Sequence, residues 1–264
     1  MNWFAQYRLM IKWQALNLKV ILPFIMVIQI MVGVGTVIGY SFLLPDIDSI
    51  TGKYFATGAS TLSLITLGLV FVPQGVSEMK QKQTFEYIWA LPISRFAFVA
   101  ADFTIWLAVV LPSVVLTLFV ASWRYDFGLE ISPLIVPAFL LTALTGVALG
   151  TSLAHLSPSQ VLTGVVTNVL IFSLFLFSPI YFPNDRLPWV VEKIHQGLPI
   201  KYMGDLVRGT VTTGINDDLG LAFAVVEGGA CYRWSFCTGW LRGGVDRVWV
   251  SDVGGNSLRE LTLC

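Results

Sequence analysis

Charge is scarce in this chain. Of 264 residues, 12% are charged, whereas a soluble domain usually carries about 25%. Hydrophobic residues make up 55% of the chain. This composition excludes an ordinary soluble domain and predicts an integral membrane protein. The formal net charge of zero also leaves no basic field that would favour nucleic acid.

Catalytic and metal-binding motifs are missing from the sequence. It contains no GxxxxGK[ST] phosphate loop, no GxGxxG, no HExxH and no GxSxG. The two histidines, His155 and His195, are far apart, and all three cysteines lie after residue 230. We therefore expect no metal site, no bound cofactor and no enzymatic activity in this chain.

Long apolar runs are abundant. A membrane-crossing helix needs about 20 apolar residues, and backbone polar groups in lipid must bond within the segment. Five segments qualify, so the predicted fold class is an all-α integral membrane protein. The five predicted spans are 20–44, 54–73, 96–122, 131–154 and 160–182.

Basic residues near the span ends predict the topology. They are concentrated before the first span and between the second and third, and such residues favour the cytosolic side. The N-terminus is thus expected in the cytosol, and the expected location is a bacterial plasma membrane. The basic residues concerned are Arg8, Lys12, Lys19, Lys80, Lys82 and Arg95.

The first 19 residues are amphipathic. One helical face carries apolar side chains and another carries Arg8, Lys12 and Lys19, which predicts a helix lying flat at the lipid surface. The apolar face consists of Phe4, Tyr7, Ile11, Ala15 and Leu18.

The segment 75–95, which includes "SEMKQKQTFEYIWALPISR", is long for a connection between two spans. Phe85, Ile88 and Trp89 form an i, i+3, i+4 patch beside charged residues, and Pro92 limits the helix. Packing on the membrane surface is one interpretation. A docking surface for a cytosolic partner is the other, and the length of the segment favours it.

Three polar residues lie within predicted spans. Asp102 is close to the start of its span, where the helix dipole stabilises a carboxylate; a proton relay is the alternative. Gln29 and Asn168 lie mid-span, and either helix–helix hydrogen bonding or the lining of a cavity would explain them.

Residues 178–214 are interrupted by Pro179, Pro183, Pro188 and Pro199. Short amphipathic helices between these prolines predict a re-entrant helical hairpin at the outer surface, with Trp and Tyr at the interface.

Two motifs together resemble the permeases of ABC-2 type ABC transporters. In the 75–95 segment, Thr84, Glu86, Pro92, Ser94 and Arg95 match in order, although Gln83 stands where a glycine is common. The resemblance covers residues 1 to about 214. In the outer hairpin the matching residues are Phe182, Pro183, Leu187, Pro188, Trp189, Leu198, Pro199, Arg208 and Gly209.

This resemblance implies six spans, a second permease copy or paralogue, and a separate ABC ATPase that binds ATP and Mg²⁺. It also implies export and a coupling helix within 75–95, with the N-terminal helix as a second contact. The transported substrate is not assigned. The residues implied to contact the ATPase are Glu78, Lys80, Lys82, Thr84, Phe85, Glu86, Ile88, Trp89, Pro92, Ser94, Arg95, Arg8 and Lys12.

Residues 215–264 depart from this pattern, because charged residues interrupt the expected sixth span. A central arginine alone costs about 2.5 to 3.5 kcal/mol on insertion scales. A shift of reading frame near Glu227 would make this stretch apolar, so a frameshifted, impaired permease is one hypothesis and a native short tail is the other. The interrupting residues are Glu227, Arg233, Arg242, Asp246 and Arg247.

The sequence therefore divides into an interface helix (1–19), a permease domain (20–214) and an atypical tail (215–264). A membrane scaffold or immunity-type protein without a transport cycle is the alternative function. It would need no ATPase.

Overall fold

The structure, a computed structural model, describes residues 2–43, 49–128, 132–177, 180, 199–212 and 219–228. Within these ranges the chain is helical apart from short connections, as the predicted fold class requires. A π-helical turn, Leu67–Phe71, joins two of the helices. The helices are α1 (Trp3–Leu18), α2 (Leu22–Leu43), α3 (Ser49–Thr66), α4 (Val72–Gln81), α5 (Thr84–Ala90), α6 (Arg95–Tyr125), α7 (Ile135–Leu156), α8 (Gln160–Phe177), α9 (Pro199–Val211) and α10 (Leu219–Gly228).

Four of the described helical stretches are long and apolar enough to cross a membrane. They correspond to the first four predicted spans, and they support a multi-pass all-α membrane protein. The fifth predicted span falls on α8, which ends where the description stops. Residues 181–198 of the predicted hairpin and the tail from 229 onward lie outside the described residues. The four stretches are Leu22–Leu43, Ile50–Gln81, Arg95–Tyr125 and Ile135–Leu156.

The second crossing is longer than the predicted 54–73. The helical path continues from α3 through the π turn to the end of α4. Pro73 explains the turn, because its ring would clash with the carbonyl of Leu69 and it has no N–H to donate. The N–H of Val72 instead reaches back five residues to the oxygen of Leu67. The first residues of the predicted 75–95 segment therefore belong to this long helix.

α3 lies in the centre of the bundle, packed against α2, α6, α7 and α9. It is rich in hydroxyl side chains that are fully buried. Each satisfies itself within the helix: Ser60 Oγ donates to the oxygen of Ala56 (2.9 Å), and Ser63 Oγ to that of Ala59 (3.0 Å). Such bonding allows small polar residues to be buried without partners on other helices.

The bundle has two ends. At one, called the α1 end, Lys80 Nζ donates to the oxygen of Ala154 at 3.1 Å, so α4 and α7 meet there. At the other, called the α9 end, the Tyr125 hydroxyl donates to the oxygen of Val37 at 2.7 Å. α1 and α5 share the first end, as the predicted topology requires. That this end faces the cytosol stays a prediction.

α9, the described helix of the predicted outer re-entrant hairpin, packs into the bundle. Met203, Leu206 and Val207 are fully buried between α3 and α7. Arg208 is also buried, and it is neutralised by Asp205, whose Oδ1 lies 3.0 Å from Nη1. Its guanidinium stacks over the Tyr54 ring at 4.0 Å. Because its charge is compensated, Arg208 can be buried where α9 packs against the bundle.

Candidate functional site

The predicted coupling segment forms a short helix between two long ones. α4 ends at Gln81, and α5 begins only three residues later. Gln83, between them, has a φ of 54°, a left-handed conformation that glycine adopts more easily than other residues. This conformation ends α4, so that α5 does not continue along its axis.

α5 is fixed to the bundle by Ile88, which is 4% exposed. Ile88 packs in one cluster with Met10 of α1 and with Phe98 and Ala101 of α6. The connection after α5 is held as well, because the N–H of Ser94 donates to Gln6 Oε1 at 3.0 Å. α1, α5 and the start of α6 therefore form one packed unit, which we call the α1–α5 unit.

Most of the predicted apolar face of α1 is half-buried in the structure, and of its five residues Phe4 alone is exposed (72%). Met10 and Gln14 are the fully buried residues, and the Tyr7 hydroxyl is 2.8 Å from Thr104 Oγ1 of α6. The face that the sequence assigned to lipid is thus covered in part by neighbouring protein.

The residues predicted to contact the ATPase differ in their exposure. Arg8, Lys12 and Pro92 are exposed, and Glu78 and Lys82 form an exposed i, i+4 ion pair on α4. Thr84, Ser94 and Arg95 are half-buried at the starts of α5 and α6. The side chains of Phe85, Glu86 and Trp89 lie outside the described part of the structure. Exposed Tyr87 (68%) joins this surface, and we had not predicted it.

Lys80 is the predicted contact that turns inward. Its Nζ donates to the carbonyl oxygens of Ala154 (3.1 Å) and Ser157 (3.5 Å), at the C-terminal end of α7. A cation there satisfies carbonyls that have no partner in the helix and complements the helix dipole. Lys80 therefore ties α4 to α7.

Gln29 joins three helices in the middle of the bundle. Its side-chain Nε2 donates to the backbone oxygen of Ser63 on α3 at 3.2 Å. The backbone oxygen of Gln29 accepts a hydrogen bond from Ser113 Oγ of α6 at 2.7 Å. Among the described residues its buried Oε1 has no partner. This arrangement is the helix-to-helix bonding considered for Gln29 from the sequence.

Asp102 and Asn168 differ from Gln29, since the bonds described for each stay within one helix. Trp106 Nε1 donates to Asp102 Oδ1 at 3.2 Å, four residues along α6. Asn168 Nδ2 donates to the oxygen of Gly164 at 2.7 Å, and its side chain is exposed on α8. Neither bond connects two helices.

The sequence analysis did not predict a close contact between the π turn and α7, which depends on glycines. At Gly150 of α7 an added Cβ would lie 1.8 Å from the oxygen of Gly68, and at Gly68 it would lie 2.2 Å from the carbonyl carbon of Gly146. The π turn therefore lies backbone against backbone on α7. Gly146 and Gly150 form a GxxxG pattern, which is typical of close helix packing in membranes, and Pro73 indicated an irregular turn. Together they could have predicted this contact.

Metal-ligating side chains are not grouped in the residues that the structure describes: no three His, Cys, Asp or Glu side chains there could hold an ion together. The arrangement offers packed helices, a surface at the α1 end and polar side chains inside the bundle.

Comparison with known proteins identifies the family. The family model described as ABC-2 type transporter matches residues 5–212, a range that runs from the first turn of α1 to the end of α9. Comparisons with curated proteins and with solved structures give no match. Membrane domains of this family are generally non-catalytic and work with an ABC ATPase. Because the match covers most of the sequence, the chain belongs to the ABC-2 type transporter family, as a membrane permease.

Proposed function

We propose that this chain is the membrane subunit of an ABC exporter, which moves a substrate outward with ATP hydrolysed by a separate ATPase subunit. ATP and Mg²⁺ bind to that partner. One observation carries the proposal: α5, a short helix between two spans, is packed into the α1–α5 unit while Tyr87 remains 68% exposed. A helix that is anchored on one side and exposed on the other is suited to receive a push from a soluble partner.

Movement of α5 can reach the spans by two routes. Ile88 connects it to α1 and α6, and α6 crosses the membrane. Gln83 connects it to α4, which is tied to α7 by Lys80 and to α8 by Ser77, whose Oγ lies 2.8 Å from Thr163 Oγ1. A displacement of α5 would therefore be shared by five helices rather than absorbed in a loop.

Exposed cations on α1 extend the docking surface. Arg8 and Lys12 are on α1, which belongs to the same packed unit as α5, and both are exposed. Charges at the rim of an interface steer association and fix its register more than they add affinity. We infer that the ATPase presents acidic side chains opposite α1.

Photocrosslinking tests this docking surface. A benzophenone amino acid at Tyr87 should crosslink to an ABC ATPase, recognised by its P-loop peptide, when the chain is expressed in its native host. The same probe at Trp123, an 80% exposed aromatic residue on the α9 side of α6, should not. Crosslinks to the ATPase from Trp123 and none from Tyr87 would place the docking surface elsewhere.

Charge reversal separates a transporter from a scaffold. The double variant Glu86→Lys, Arg95→Glu should uncouple ATP hydrolysis from the permease and leave membrane insertion unchanged. A membrane scaffold or immunity-type protein would have no ATPase to uncouple, and a scrambled order of residues 84–90 would leave its activity intact.

A further inference from the structure

Asp102 lies within a membrane span and has no basic partner among the described residues. It follows the start of α6 at Arg95 by two turns, or about 10 Å along the helix. Trp106 Nε1 donates to its Oδ1 at 3.2 Å, and no described group donates to its Oδ2. Asp102 takes part in neither of the ion pairs found in the described ranges. An acidic residue in a span is costly, and it normally has a partner that explains its presence.

Gln14 adds a second acceptor near the level of Asp102. α1 packs along α6, where Met10 contacts the cluster that contains Ala101, and Gln14 follows one turn later on the same buried face. α1 leads into α2, whose Gln29 bonds to α6 further along, so Gln14 lies between these two levels. Its Oε1 is enclosed by protein, and within the described part of the chain nothing donates to it. This level of the bundle therefore has more acceptors than donors.

The interval between α4 and the first half of α6 is not filled by close helix packing. α4 packs mainly against α7 and α8, whereas α6 packs mainly against α1, α2 and α3. The rings of Phe71 and Trp106 bridge this interval, with their centroids 6.3 Å apart. One turn after Phe71, a Cβ added at Gly75 would meet nothing within 4 Å, and Asp102 is only half-buried. A small molecule with an apolar body therefore has space beside the carboxylate.

We propose that Asp102 binds the ammonium group of a lipophilic amine, and that such amines are substrates of the exporter. The inference rests on the proposed function and assigns a substrate class to it. The Trp106 indole holds Oδ1 in place and leaves Oδ2 to the ammonium. An ammonium carries three N–H donors and no acceptor, so it supplies what this level of the bundle lacks.

The apolar surroundings select the rest of the ligand. Charge pairing is stronger where water is excluded, and an apolar body beside Phe71 would exclude it. A divalent metal ion fits poorly, because Ca²⁺ and Mg²⁺ need about six oxygen ligands. No three acidic, His or Cys side chains of the described ranges are grouped to hold one. The site therefore suits an organic cation with N–H donors.

Binding of dansylcadaverine, a fluorescent lipophilic primary amine, tests the proposal on the full chain in lipid nanodiscs. Asp102→Asn should weaken its binding about tenfold, because the charge is lost while the shape and an acceptor for Trp106 remain. Asp102→Glu keeps the charge and should retain binding. N-acetylated dansylcadaverine, which is uncharged, should bind weakly and equally to the parent and to Asp102→Asn.

Asp126→Asn is the matched control. It removes the same charge from an exposed carboxylate at the other end of α6, and dansylcadaverine should bind this variant as it binds the parent. Equal binding by the parent and Asp102→Asn would overturn the proposal. So would equal affinity of the parent for dansylcadaverine and its acetylated form, because the ammonium would then make no contact with a carboxylate.

A proton is the other occupant that the test must separate. If Asp102 only takes up a proton, Asp102→Asn will abolish a pH dependence of thermal stability and leave dansylcadaverine binding unchanged; this outcome contradicts the proposal. The crosslink from Tyr87 to the ATPase is scored separately in native membranes. Its presence with unchanged amine binding by Asp102→Asn rejects the amine site and leaves the proposed function standing. Its absence with amine binding that depends on Asp102 rejects the ATPase surface and leaves the amine site.

Discussion

Gln83 shows how one residue decides the direction of a helix. It holds a left-handed conformation between α4 and α5, and that conformation costs a residue with a Cβ about 1–2 kcal/mol. Its side chain is exposed, so only the backbone is constrained. α5 needs this break in the helix, because Ile88 packs with Met10 and Phe98 away from the axis of α4.

Substitutions at Gln83 should separate backbone from side-chain effects. Gln83→Gly should leave the stability of the detergent-solubilised protein unchanged or raise it slightly, since relief of the left-handed strain offsets the added chain entropy. Gln83→Val should destabilise it by about 1–2 kcal/mol, because a β-branched residue fits this conformation poorly. Thermal unfolding measures both. Gln81→Val, at an exposed helical position, is the control, and an equal loss there would contradict the explanation.

Polar residues in the spans could be recognised from the sequence, but their partners could not. In the sequence, Gln29, Asp102 and Asn168 are each a single polar residue within an apolar run, and nothing there distinguishes their roles. The structure gives Gln29 bonds to α3 and α6, whereas Asp102 and Asn168 have described bonds only within their own helices. The difference depends on which side of each helix meets another helix, and hydropathy cannot show that where every side is apolar.

At the scale of elements, the π turn divides the second crossing into two parts. Before the turn, α3 packs with α2, α6, α7 and α9; after it, α4 packs with α7 and α8. The turn itself lies on the glycines of α7. π turns within helices are frequent at functional sites. Here the turn sets the rotation of α4, and with it the position of Ser77 and Lys80.

Removing one residue from the π turn should rotate α4. Deletion of Leu69 restores an ordinary α-helix, in which each residue turns by about 100°, so Ser77 would no longer face Thr163. In a chain with its three native cysteines replaced, the pair Ser77→Cys, Thr163→Cys should form a disulfide readily, because the two Oγ atoms are 2.8 Å apart. The deletion should abolish that disulfide.

Leu69→Ala is the control for this deletion, because it changes the side chain and keeps the length of the turn. The disulfide between positions 77 and 163 should survive it. If the deletion variant crosslinks as well as the parent, the helix absorbs the missing residue elsewhere and the turn does not set the rotation of α4.

The sequence predicted where helices run better than how they pack. The first, third and fourth predicted spans correspond closely to α2, α6 and α7, because charge and hydropathy mark the ends of long apolar helices. The second predicted span ended too early, because the helix continues through polar residues to Gln81. Ser77 and Lys80 in this extension bond to α8 and α7 respectively. The sequence predicted a re-entrant segment that includes α9, but it could not show that Arg208 is buried against Tyr54, which lies far away in the chain.

At the scale of the whole molecule, the two ends of the bundle have different chemistry. The α1 end presents exposed cations on α1 and the exposed Glu78–Lys82 pair. The α9 end contains a buried arginine within a helix that enters the bundle. In an exporter the first surface would meet the ATPase and the second would lie near the exit. A displacement of α5 would then reach α9 through helices that extend to both ends of the bundle. These are the continuous α3–α4 crossing and α7, and α9 packs against α3 and α7.

α10 extends about half-way across the bundle. It begins beside Gly209, whose added Cβ would lie 3.0 Å from Leu219, and near its end the oxygen of Val226 accepts from Thr145 Oγ1, midway along α7 (3.3 Å). Ten helical residues span about 15 Å, half of a hydrocarbon core of about 30 Å. Ala222 and Val226 are buried like residues of a span. Glu227 therefore follows at mid-depth, where a carboxylate is costly.

α10 is packed like the first half of a span, but the charged Glu227 follows at mid-depth. This combination supports the hypothesis that the reading frame is shifted after Glu227. Replacing these residues by the alternative frame should complete a sixth crossing and bring the C-terminus to the cytosolic side. The present tail should leave it outside. Alkaline phosphatase and green fluorescent protein fused after residue 264 report the two sides, with fusions after Ser157 as the cytosolic reference. The same side for both tails would mean that α10 is not the first half of a span, and the tail would then be a native structure.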